Sequence, residues 1–302
     1  MSFKTIAVVG AAGSVGKPVV QALVAAGFKV TAVARESSTS TYPDGVEVRK
    51  ADLKSVEALT KAFAGQDVVI MTPPTTESGN QAPYIDAAVA AGVKRFIPSE
   101  WGHNTRPGKL SGPMAEMMSD KTRAVDYLIE KAKQHPGFTW TGIATRMFLD
   151  WCLANYNIFG IDFPAKTAMI VDSGNARVAT SSLPFVAESV VAVLQRADQT
   201  ANRYVEVVEH HVTQNQLVRL IEDEAGIKLA VTHTNGQELA RIRDEKRARG
   251  DWTAFIEELQ RYSLSDGVDH SVKEEETANA ELGLQARDVR EIIREFIKSQ
   301  SA

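Results

Sequence analysis

The sequence predicts an α/β protein built on a Rossmann-type, doubly wound parallel sheet, with a smaller and mainly helical substrate lobe. Two observations predict this fold: apolar strands alternate with amphipathic helices through the first half, and a glycine-spaced turn follows the first strand. Such alternation is typical of a parallel sheet with helices on both faces, which binds ligands at the carboxyl ends of its strands. We therefore expect the functional residues at those ends.

The first strand is expected at residues 5–9. It leads into the segment 10–16, which we call the glycine turn, and then into a helix over 17–26 that Gly27 ends. Glycines spaced by three residues let the backbone approach a pyrophosphate, which then binds N–H groups at a helix N-terminus. The expected cofactor-binding positions of this turn are Gly10, Ala12, Gly13, Ser14, Val15 and Gly16. The alternative is an ordinary tight turn between a strand and a helix of another α/β protein.

The second strand, expected at residues 29–34, ends in Arg35, where enzymes that bind the 2′-hydroxyl of NAD carry Asp or Glu. A guanidinium at this place pairs with the 2′-phosphate of NADP and stacks on adenine. The sequence therefore favours NADP(H) over NAD(H), although Glu36 follows directly. Glu36 is expected to point to the other face of the extended segment. The alternative role of Arg35 is a solvated arginine at a strand end.

Further alternating elements complete the first half. We expect strands at 46–50, 67–72 and 95–98, and helices at 55–64 and 81–91. The ends of these elements add expected cofactor contacts, namely Asp52, Thr72, Pro73, Gln81 and Ser99. Asp52 is expected near the adenine, with an N-terminal helix cap as its alternative role.

Beyond a polar loop at 103–113, the pattern predicts a helix at 119–133 and a strand at 138–143, and then becomes looser. The later expected strands lie near 168–171, 177–180 and 203–207, and further helices lie near 184–195, 236–247, 252–261 and 288–298. Between them, Thr213 is expected to cap a helix that runs to Ala225 and stops at Gly226.

These elements divide the chain of 302 residues into two expected parts. The first is a cofactor domain over 1–152, whose sheet is completed by about 177–208. The second is a substrate lobe made of 153–176 and 209–302. The length fits one large α/β unit or a Rossmann domain with a smaller lobe.

Composition narrows the function further. With 44% hydrophobic residues, 24% charged residues and a formal net charge of −4, the chain lacks the basic surface that nucleic-acid binding needs. The single cysteine, Cys152, excludes an internal disulfide framework and a cysteine-based zinc site, and the scattered histidines predict no metal site. No stretch approaches the roughly 18 apolar residues that span a bilayer, and no leader precedes the first strand, so we expect a cytoplasmic protein without a membrane partner.

Apolar and aromatic side chains follow several strand ends. They are Trp101, His103, Met147, Phe148 and Trp151. Apolar walls with a few polar groups are the general pattern of small-molecule sites, so we expect these residues to line a pocket for an aromatic substrate. The alternative is packing between the two parts of the chain.

Four segments together resemble one known family. They are the glycine turn, Arg35, the block Lys94-Arg95-Phe96-Ile97-Pro98-Ser99-Glu100-Trp101-Gly102 and the run Lys121-Thr122-Arg123-Ala124-Val125. Over roughly residues 1–200 the chain resembles the NmrA-like and isoflavone-reductase-like branch of the atypical short-chain dehydrogenases, which includes phenylcoumaran benzylic ether reductases. Within this branch, the segments 143–151 and 172–175 look most similar to those of fungal NmrA-like members.

The resemblance implies an NADPH-dependent reductase whose catalytic lysine matches Lys121 and whose serine matches Ser99. The Lys121 ammonium would hydrogen-bond the nicotinamide ribose, donate to a developing oxyanion or pass a proton, while the hydride comes from C4 of the cofactor. Ser99 would orient a substrate oxygen, and its alternative role is to satisfy buried backbone groups. Burial beside the cofactor is expected to lower the Lys121 pKa.

One position departs from the short-chain dehydrogenase pattern. These enzymes place a tyrosine, the proton donor to a carbonyl, four residues before the lysine, and this chain has Met117 there. Reduction of an activated alkene, quinone methide, imine or enone needs less help from a phenol and is therefore favoured over alcohol–ketone interconversion. Tyr127 or Tyr156 is the alternative donor, although Tyr127 should point away from Lys121 on its helix.

Three functions remain open. The leading one is an NADPH-dependent oxidoreductase that acts on a conjugated or aromatic small molecule. The second is an NmrA-like regulator that senses NADP(H) and binds a protein partner without turnover, which Met117 favours and Lys121 opposes. The third is a non-redox catalyst that uses the same pocket. The expected partner is a small-molecule substrate, and the sequence is compatible with a homodimer.

Overall fold

The computed structural model describes residues 2–74, 77–267 and 269–300. The strands are β1 Thr5–Val9, β2 Lys29–Arg35, β3 Glu47–Ala51, β4 Val68–Met71, β5 Arg95–Ile97, β6 Thr139–Ala144, β7 Met147–Phe148, β8 Ile161–Asp162, β9 Thr167–Val171, β10 Val178–Ser181, β11 Arg203–Glu206, β12 His210–Val212 and β13 Ala230–Thr234. The helices are α1 Gly16–Ala25, α2 Val56–Phe63, α3 Ala82–Ala90, α4 Gly112–Met117, α5 Ser119–Gln134, α6 Leu149–Ala154, α7 Leu183–Gln195, α8 Gln214–Ala225, α9 Gly236–Ala248, α10 Ala254–Leu264, α11 Asn279–Leu282 and α12 Val289–Gln300. Within the three ranges given, no helix is long and apolar enough to cross a membrane.

A seven-stranded sheet forms the centre of the first part, with the strand order β11-β6-β5-β4-β1-β2-β3. Every neighbouring pair in it is parallel. Strands β1 and β4 are almost wholly buried, because helices cover the sheet on both faces. The predicted Rossmann-type α/β class is therefore confirmed.

The strand order of this sheet reverses between β1 and β4. Val9 of β1 pairs with Val33 of β2 on one side and with Met71 of β4 on the other. In open α/β sheets, ligands bind in the crevice beside such a reversal. The glycine turn follows β1 and Thr72 follows β4, so both predicted segments lie at this crevice.

Two three-stranded sheets and most of the later helices surround a second hydrophobic core. One sheet has the order β12-β10-β7, and the other has the order β13-β9-β8. Strand β11 joins the central sheet beside β6, but β10 does not, because Thr180 of β10 pairs with Met147 and His210 instead. The expectation that 177–208 completes the central sheet is therefore wrong for β10.

Several elements are absent from the sequence prediction. The short strand β7 and the helix α6 follow β6 in a segment for which the sequence analysis gives no element, and α4 begins inside the expected loop 103–113. In β13, four of the five residues are exposed, so its sequence offers no apolar alternation. These short elements depend on tertiary pairing more than on a local pattern.

Side-chain caps define the ends of two helices. At α8 the Thr213 hydroxyl accepts from the Gln216 N–H, the Gln216 side chain accepts from the Thr213 N–H, and Gly226 ends the helix with φ +65°. This reciprocal capping box and the left-handed glycine confirm both predicted signals. At α2 the cap is Ser55, so the helix-cap alternative for Asp52 is wrong.

Candidate active site

The glycine turn packs against the residue that follows β4. A Cβ on Gly10 would lie 2.2 Å from the Thr72 carbonyl oxygen, and a Cβ on Gly16 would lie 2.2 Å from the Gly10 carbonyl oxygen. Gly10 also has φ +81°, a conformation that side chains rarely adopt. The Thr72 N–H and hydroxyl both donate to the Val9 carbonyl at 2.8 Å and hold the two strand ends together. Only glycine therefore fits at positions 10 and 16 without a shift of the backbone.

The same turn presents the N-terminus of α1. This helix begins at Gly16, and no side chain caps its first turn. The Lys17 N–H donates to the Gly13 carbonyl at 2.9 Å and Pro18 has no N–H, so within the described residues the Gly16 N–H remains for a ligand at this end of α1. A free N–H at a helix N-terminus suits the negative charge of a diphosphate. A cavity of about 480 Å³ borders the turn. Its lining comes from the turn, from α1 and from the segment after β2: Ala11, Ala12, Lys17, Val20, Gln21, Ser40, Thr41, Tyr42 and Pro43.

Two predicted cofactor residues lie exposed at the carboxyl ends of β2 and β3. Arg35 ends β2 beside Ala51 of β3, and its guanidinium forms no hydrogen bond or ion pair within the part of the chain that the structure describes. Asp52 follows Ala51, and its Oδ1 accepts from the Lys54 N–H at 2.9 Å. The free guanidinium leaves Arg35 available to an anionic ligand.

Gln81 connects the loop after β4 to the end of β5. Its Nε2 donates to the Ser78 carbonyl at 2.7 Å, and its Oε1 accepts from the Ser99 N–H at 2.8 Å. Gln81 and Ser99 are buried, and Pro73 is half-buried directly after Thr72. These residues thus lie at adjacent strand ends, and Gln81 holds the two ends together.

Lys121 stands in the first turn of α5, and its Nζ donates to the Trp101 carbonyl at 3.2 Å. This bond brings the ammonium to the loop that follows β5. Burial lowers the Lys121 pKa, and the Glu100 carboxylate acts in the opposite direction. The expected lowering of the Lys121 pKa is therefore present, and its cause is loss of contact with water.

The surroundings of Lys121 contain no tyrosine in the usual relation to it. Met117 ends α4, whereas Lys121 belongs to α5, so the two residues do not lie on one continuous helix. The Tyr127 hydroxyl donates to Asp86 Oδ1 at 2.7 Å, on the side of α3, and points away from Lys121 as expected. Tyr156 is 53% exposed.

His103 lies in the loop after β5 and is buried against α10. Its Nε2 is 3.4 Å from the Ser263 hydroxyl, and its ring meets the Tyr262 ring edge-on at 5.4 Å. Burial lowers the pKa of His103 to about 3, and nearby positive charges, including Lys121, add to this. The imidazole is therefore neutral near pH 7, and its Nδ1 has no hydrogen-bond partner among the described residues.

Glu100 is fully buried between the end of β5 and β11. Its Oε2 accepts from the Thr105 hydroxyl and, at 2.8 Å, from the Tyr204 hydroxyl. Burial, together with the charge of Glu100, raises the pKa of Tyr204 well above its ordinary value, so Tyr204 stays protonated. Sequence reasoning gives no role to either residue. Glu100 lies inside the block that carries the family resemblance, but Tyr204 is 104 residues away and belongs to no motif.

An ion pair fixes the connection between β6 and β7. Arg146 has φ +57°, and its N–H donates to the Gly102 carbonyl at 2.9 Å. Its guanidinium pairs with the buried Glu206 carboxylate, which also accepts from the Asn104 side chain at 2.9 Å. The loop that carries His103 is therefore anchored to β11. The sequence analysis missed this pair, because neither residue lies in a recognisable motif.

The residues expected to line one substrate pocket lie in different surroundings. Trp101 is buried in the core beneath the central sheet, and its indole donates to the Met71 carbonyl at 2.7 Å. Met147 belongs to the second core, and Phe148 contacts both cores. Trp101 and Met147 each pack within one core, whereas Phe148 shows the packing between the two cores that the sequence left open as an alternative.

Trp151 connects α6 to the glycine turn. Its Nε1 donates to the Ser14 hydroxyl at 3.1 Å. Its ring lies 5.9 Å from the Tyr156 ring, which lies 5.6 Å from the Trp252 ring. The bond to Ser14 joins a predicted pocket residue to a predicted cofactor residue.

A second cavity of about 600 Å³ lies beside α9 and α10. Its lining comes from α9, α10 and nearby loops: Pro113, Asp172, Asn235, Gly236, Gln237, Ala240, Arg243, Arg261, Ser265 and Asp266. This lining includes none of the predicted site residues. The candidate active site is therefore the carboxyl edge of the central sheet, where the glycine turn follows β1 and Lys121, with its lowered pKa, hydrogen-bonds the loop after β5.

The amino-acid sequence matches the model of one protein family, the NmrA-like family, over residues 2–293. It is similar to "Oxidoreductase aprR" of Aspergillus flavus, with 34% identity over 306 residues that cover 99% of this chain and 100% of that protein.

Two solved structures share the fold at low sequence identity. One is described as AtPrR2 with NADP+ and (+)pinoresinol; it is 21% identical, has a TM-score of 0.77 and covers 98% of this chain and 99% of its own. The other is the binary complex of leucoanthocyanidin reductase and NADPH from Vitis vinifera, with 19% identity, a TM-score of 0.79 and coverage of 97% and 99%. At such identities the likeness shows the fold alone.

Proposed function

The chain belongs to the NmrA-like family, and we propose that it is an NADPH-dependent oxidoreductase that reduces a conjugated or aromatic small molecule. The similar protein of Aspergillus flavus is named an oxidoreductase, and structures of the same fold contain NADP+ or NADPH. One observation in this chain carries the proposal. A lysine with a lowered pKa lies at the carboxyl edge of the sheet whose reversal point carries the glycine turn.

The glycine turn and Arg35 hold NADP(H) in this proposal. The diphosphate lies against the glycine turn and the Gly16 N–H at the start of α1, where the helix dipole suits its charge. The free guanidinium of Arg35 pairs with the 2′-phosphate. Further contacts are proposed at the adjacent strand ends, from Asp52, Thr72, Pro73, Gln81 and Ser99. When bound, the cofactor supplies a hydride from C4 of its nicotinamide.

Lys121 supplies the proton in this proposal. Hydride addition to an enone, imine or quinone methide leaves negative charge on a substrate oxygen or nitrogen, which the ammonium stabilises and then protonates. A lysine with a lowered pKa is a better acid near pH 7 than an ordinary lysine. Ser99 orients the substrate oxygen in this proposal. Neutral His103 lies nearby, and its buried Nδ1 has no hydrogen-bond partner among the described residues.

A fluorescence titration with NADPH, followed by nicotinamide absorbance with a panel of enones, quinones and imines, tests the proposal. We expect NADPH to bind and at least one class of acceptor to oxidise it. Lys121→Ala should then lower kcat/KM for that acceptor by about 10²–10⁴-fold, the usual contribution of an acid catalyst, while NADPH still binds. Lys133→Ala, on the same helix but exposed, is the matched control and should retain activity. Full activity in Lys121→Ala would dismiss Lys121 as the acid.

Met117 favours a second function. A regulator that senses NADP(H) and signals to a protein partner needs no phenolic proton donor, and Met117 stands where that donor would be. Such a protein would bind NADPH in the titration and oxidise none of it with any acceptor. NADPH consumption that depends on an acceptor excludes this function.

A further inference from the structure

We propose that Glu100 is a positioning residue that keeps Lys121 in its charged, ammonium form. The reaction proposed above uses Lys121 and gives no part to the buried carboxylate next to Trp101. The benefit of the Lys121 charge for catalysis rests on the proposed reductase function. The effect of the Glu100 carboxylate on the protonation of Lys121 does not depend on that function.

The buried carboxylate of Glu100 needs a positive charge nearby to compensate its own charge. Its Oε2 accepts from the Thr105 and Tyr204 hydroxyls, whereas its Oε1 is buried and has no hydrogen-bond partner among the described residues. A fully buried carboxylate with one unbonded oxygen is costly unless a positive charge compensates it. Lys121 is the cation whose titration responds to this carboxylate.

The two charges lie on segments that are tied together. Lys121 Nζ donates at 3.2 Å to the carbonyl of Trp101, the residue after Glu100. The Thr122 hydroxyl, next to Lys121, donates at 3.2 Å to the Thr105 carbonyl, and the Thr105 hydroxyl bonds to Glu100. The ammonium and the carboxylate therefore keep a fixed relation, although they form no direct ion pair.

The other charged or titratable groups around Lys121 offer no free negative charge. The pKa of His103 is lowered to about 3 and the pKa of Tyr204 is raised well above its ordinary value, so both are neutral. Glu116 of α4 is exposed. The remaining groups on neighbouring elements contact each other: Arg146 with Glu206, Arg106 with Asp126, Arg123 with Asp120, and Tyr262 with His270. Among the described residues, Glu100 is thus the carboxylate that offsets the burial of Lys121.

NMR of protein labelled with ¹³C-lysine measures the titration of Lys121 without any turnover, and Lys121→Arg identifies its signal. Glu100→Gln removes the charge but keeps an oxygen that accepts from the Thr105 and Tyr204 hydroxyls. We expect the midpoint of the Lys121 titration to move by roughly one pH unit toward acid, the usual effect of losing a nearby opposite charge. Asp126→Asn is the matched control, because it removes a carboxylate of α5 that is paired with Arg106. It should leave the midpoint in place.

An unchanged Lys121 midpoint in Glu100→Gln, or an equal shift in Asp126→Asn, overturns the proposal. Tyr204→Phe separates charge from packing, because it removes a hydroxyl and keeps the carboxylate. It should retain most of the wild-type midpoint, and a shift as large as that of Glu100→Gln also overturns the proposal. Should Glu100→Gln fail to fold, Glu100→Asp draws the charge back by one methylene group and should give a smaller acid shift; no shift there contradicts the proposal.

Turnover provides the second readout. Activity that needs a protonated Lys121 is lost as the pH rises through the Lys121 pKa. The basic limb of the kcat/KM profile should therefore move toward acid in Glu100→Gln by the same amount as the NMR midpoint. A protein that shows the NMR shift but oxidises no NADPH retains the role of Glu100 and overturns the reductase function, so the two failures are distinguishable.

Discussion

His103 is a buried imidazole beside the proposed proton donor, and burial lowers its pKa to about 3. A histidine of the unfolded chain has a pKa of about 6.5. Because the folded pKa is the lower one, the unfolded state binds more protons between these two values. The stabilising contribution of neutral His103 is therefore fully present above about pH 6.5 and is lost as the pH falls toward 3.

The variant His103→Gln should show a weaker dependence of stability on acid. Between about pH 6 and 4.5, the free energy of unfolding of the wild type should fall by up to about 1.4 kcal/mol per pH unit more than that of the variant. Urea denaturation at a series of pH values measures both slopes. Equal slopes would show that the imidazole is not held neutral by the fold.

The sequence suggests roles for single residues of the proposed site where a short segment contains them. The residue types of the glycine turn and Arg35 suggest their proposed chemistry, whereas the role proposed for Lys121 comes from the family resemblance of its segment. The sequence suggests no role for Glu100 and Tyr204, because their contact joins positions 104 residues apart. The sequence thus points to the side chain that we propose as the proton donor, but the surroundings of Glu100 become visible only in the fold.

At the scale of elements, the turn between β1 and α1 is specified by contact as well as by conformation. Gly10 and Gly27 both have positive φ, but they differ in space: a Cβ on Gly10 would lie 2.2 Å from the Thr72 carbonyl oxygen, and a Cβ on Gly27 would meet no atom within 4 Å. The two glycines therefore separate the cost of the backbone conformation from the cost of the close approach.

Gly10→Ala should lower the free energy of unfolding by about 2–4 kcal/mol, because it adds a backbone clash to conformational strain. Gly27→Ala should cost about 1 kcal/mol, because it adds strain alone. Urea denaturation measures both, and NADPH titration should show binding by Gly27→Ala and none by folded Gly10→Ala. Equal costs with equal binding would mean that the turn tolerates a side chain.

The elements themselves were predictable to different degrees. Strands β1, β2 and β4 of the central sheet are largely buried on both faces and consist mostly of apolar residues, a pattern that is visible in the sequence. Strands β7, β10 and β12 are two to four residues long, and they pair segments near 147, 180 and 210. No local sequence pattern therefore predicts the sheet that they form. The placement of β10 in the central sheet failed for this reason.

At the scale of the whole molecule, contacts far apart in the sequence join the central sheet to the elements around the second core. Trp151 of α6 packs against that core and bonds to Ser14 of the glycine turn, and the His103 ring after β5 contacts the Tyr262 ring of α10. The first part is a doubly wound sheet, as the alternation of strands and helices predicts. The way in which the second part closes on it depends on such long-range contacts, which the sequence does not reveal.

The cofactor assignment joins all three scales, because it needs Arg35, the glycine turn and the reversal of strand order together. Calorimetric titration with NADPH and with NADH, on the wild type and on Arg35→Glu, examines it. We expect the wild type to bind NADPH at least about tenfold more tightly than NADH, and Arg35→Glu to lose this preference. Lys29→Glu, at the opposite and exposed end of β2, should retain it. No heat from either nucleotide, or an unchanged preference in Arg35→Glu, would contradict the assignment.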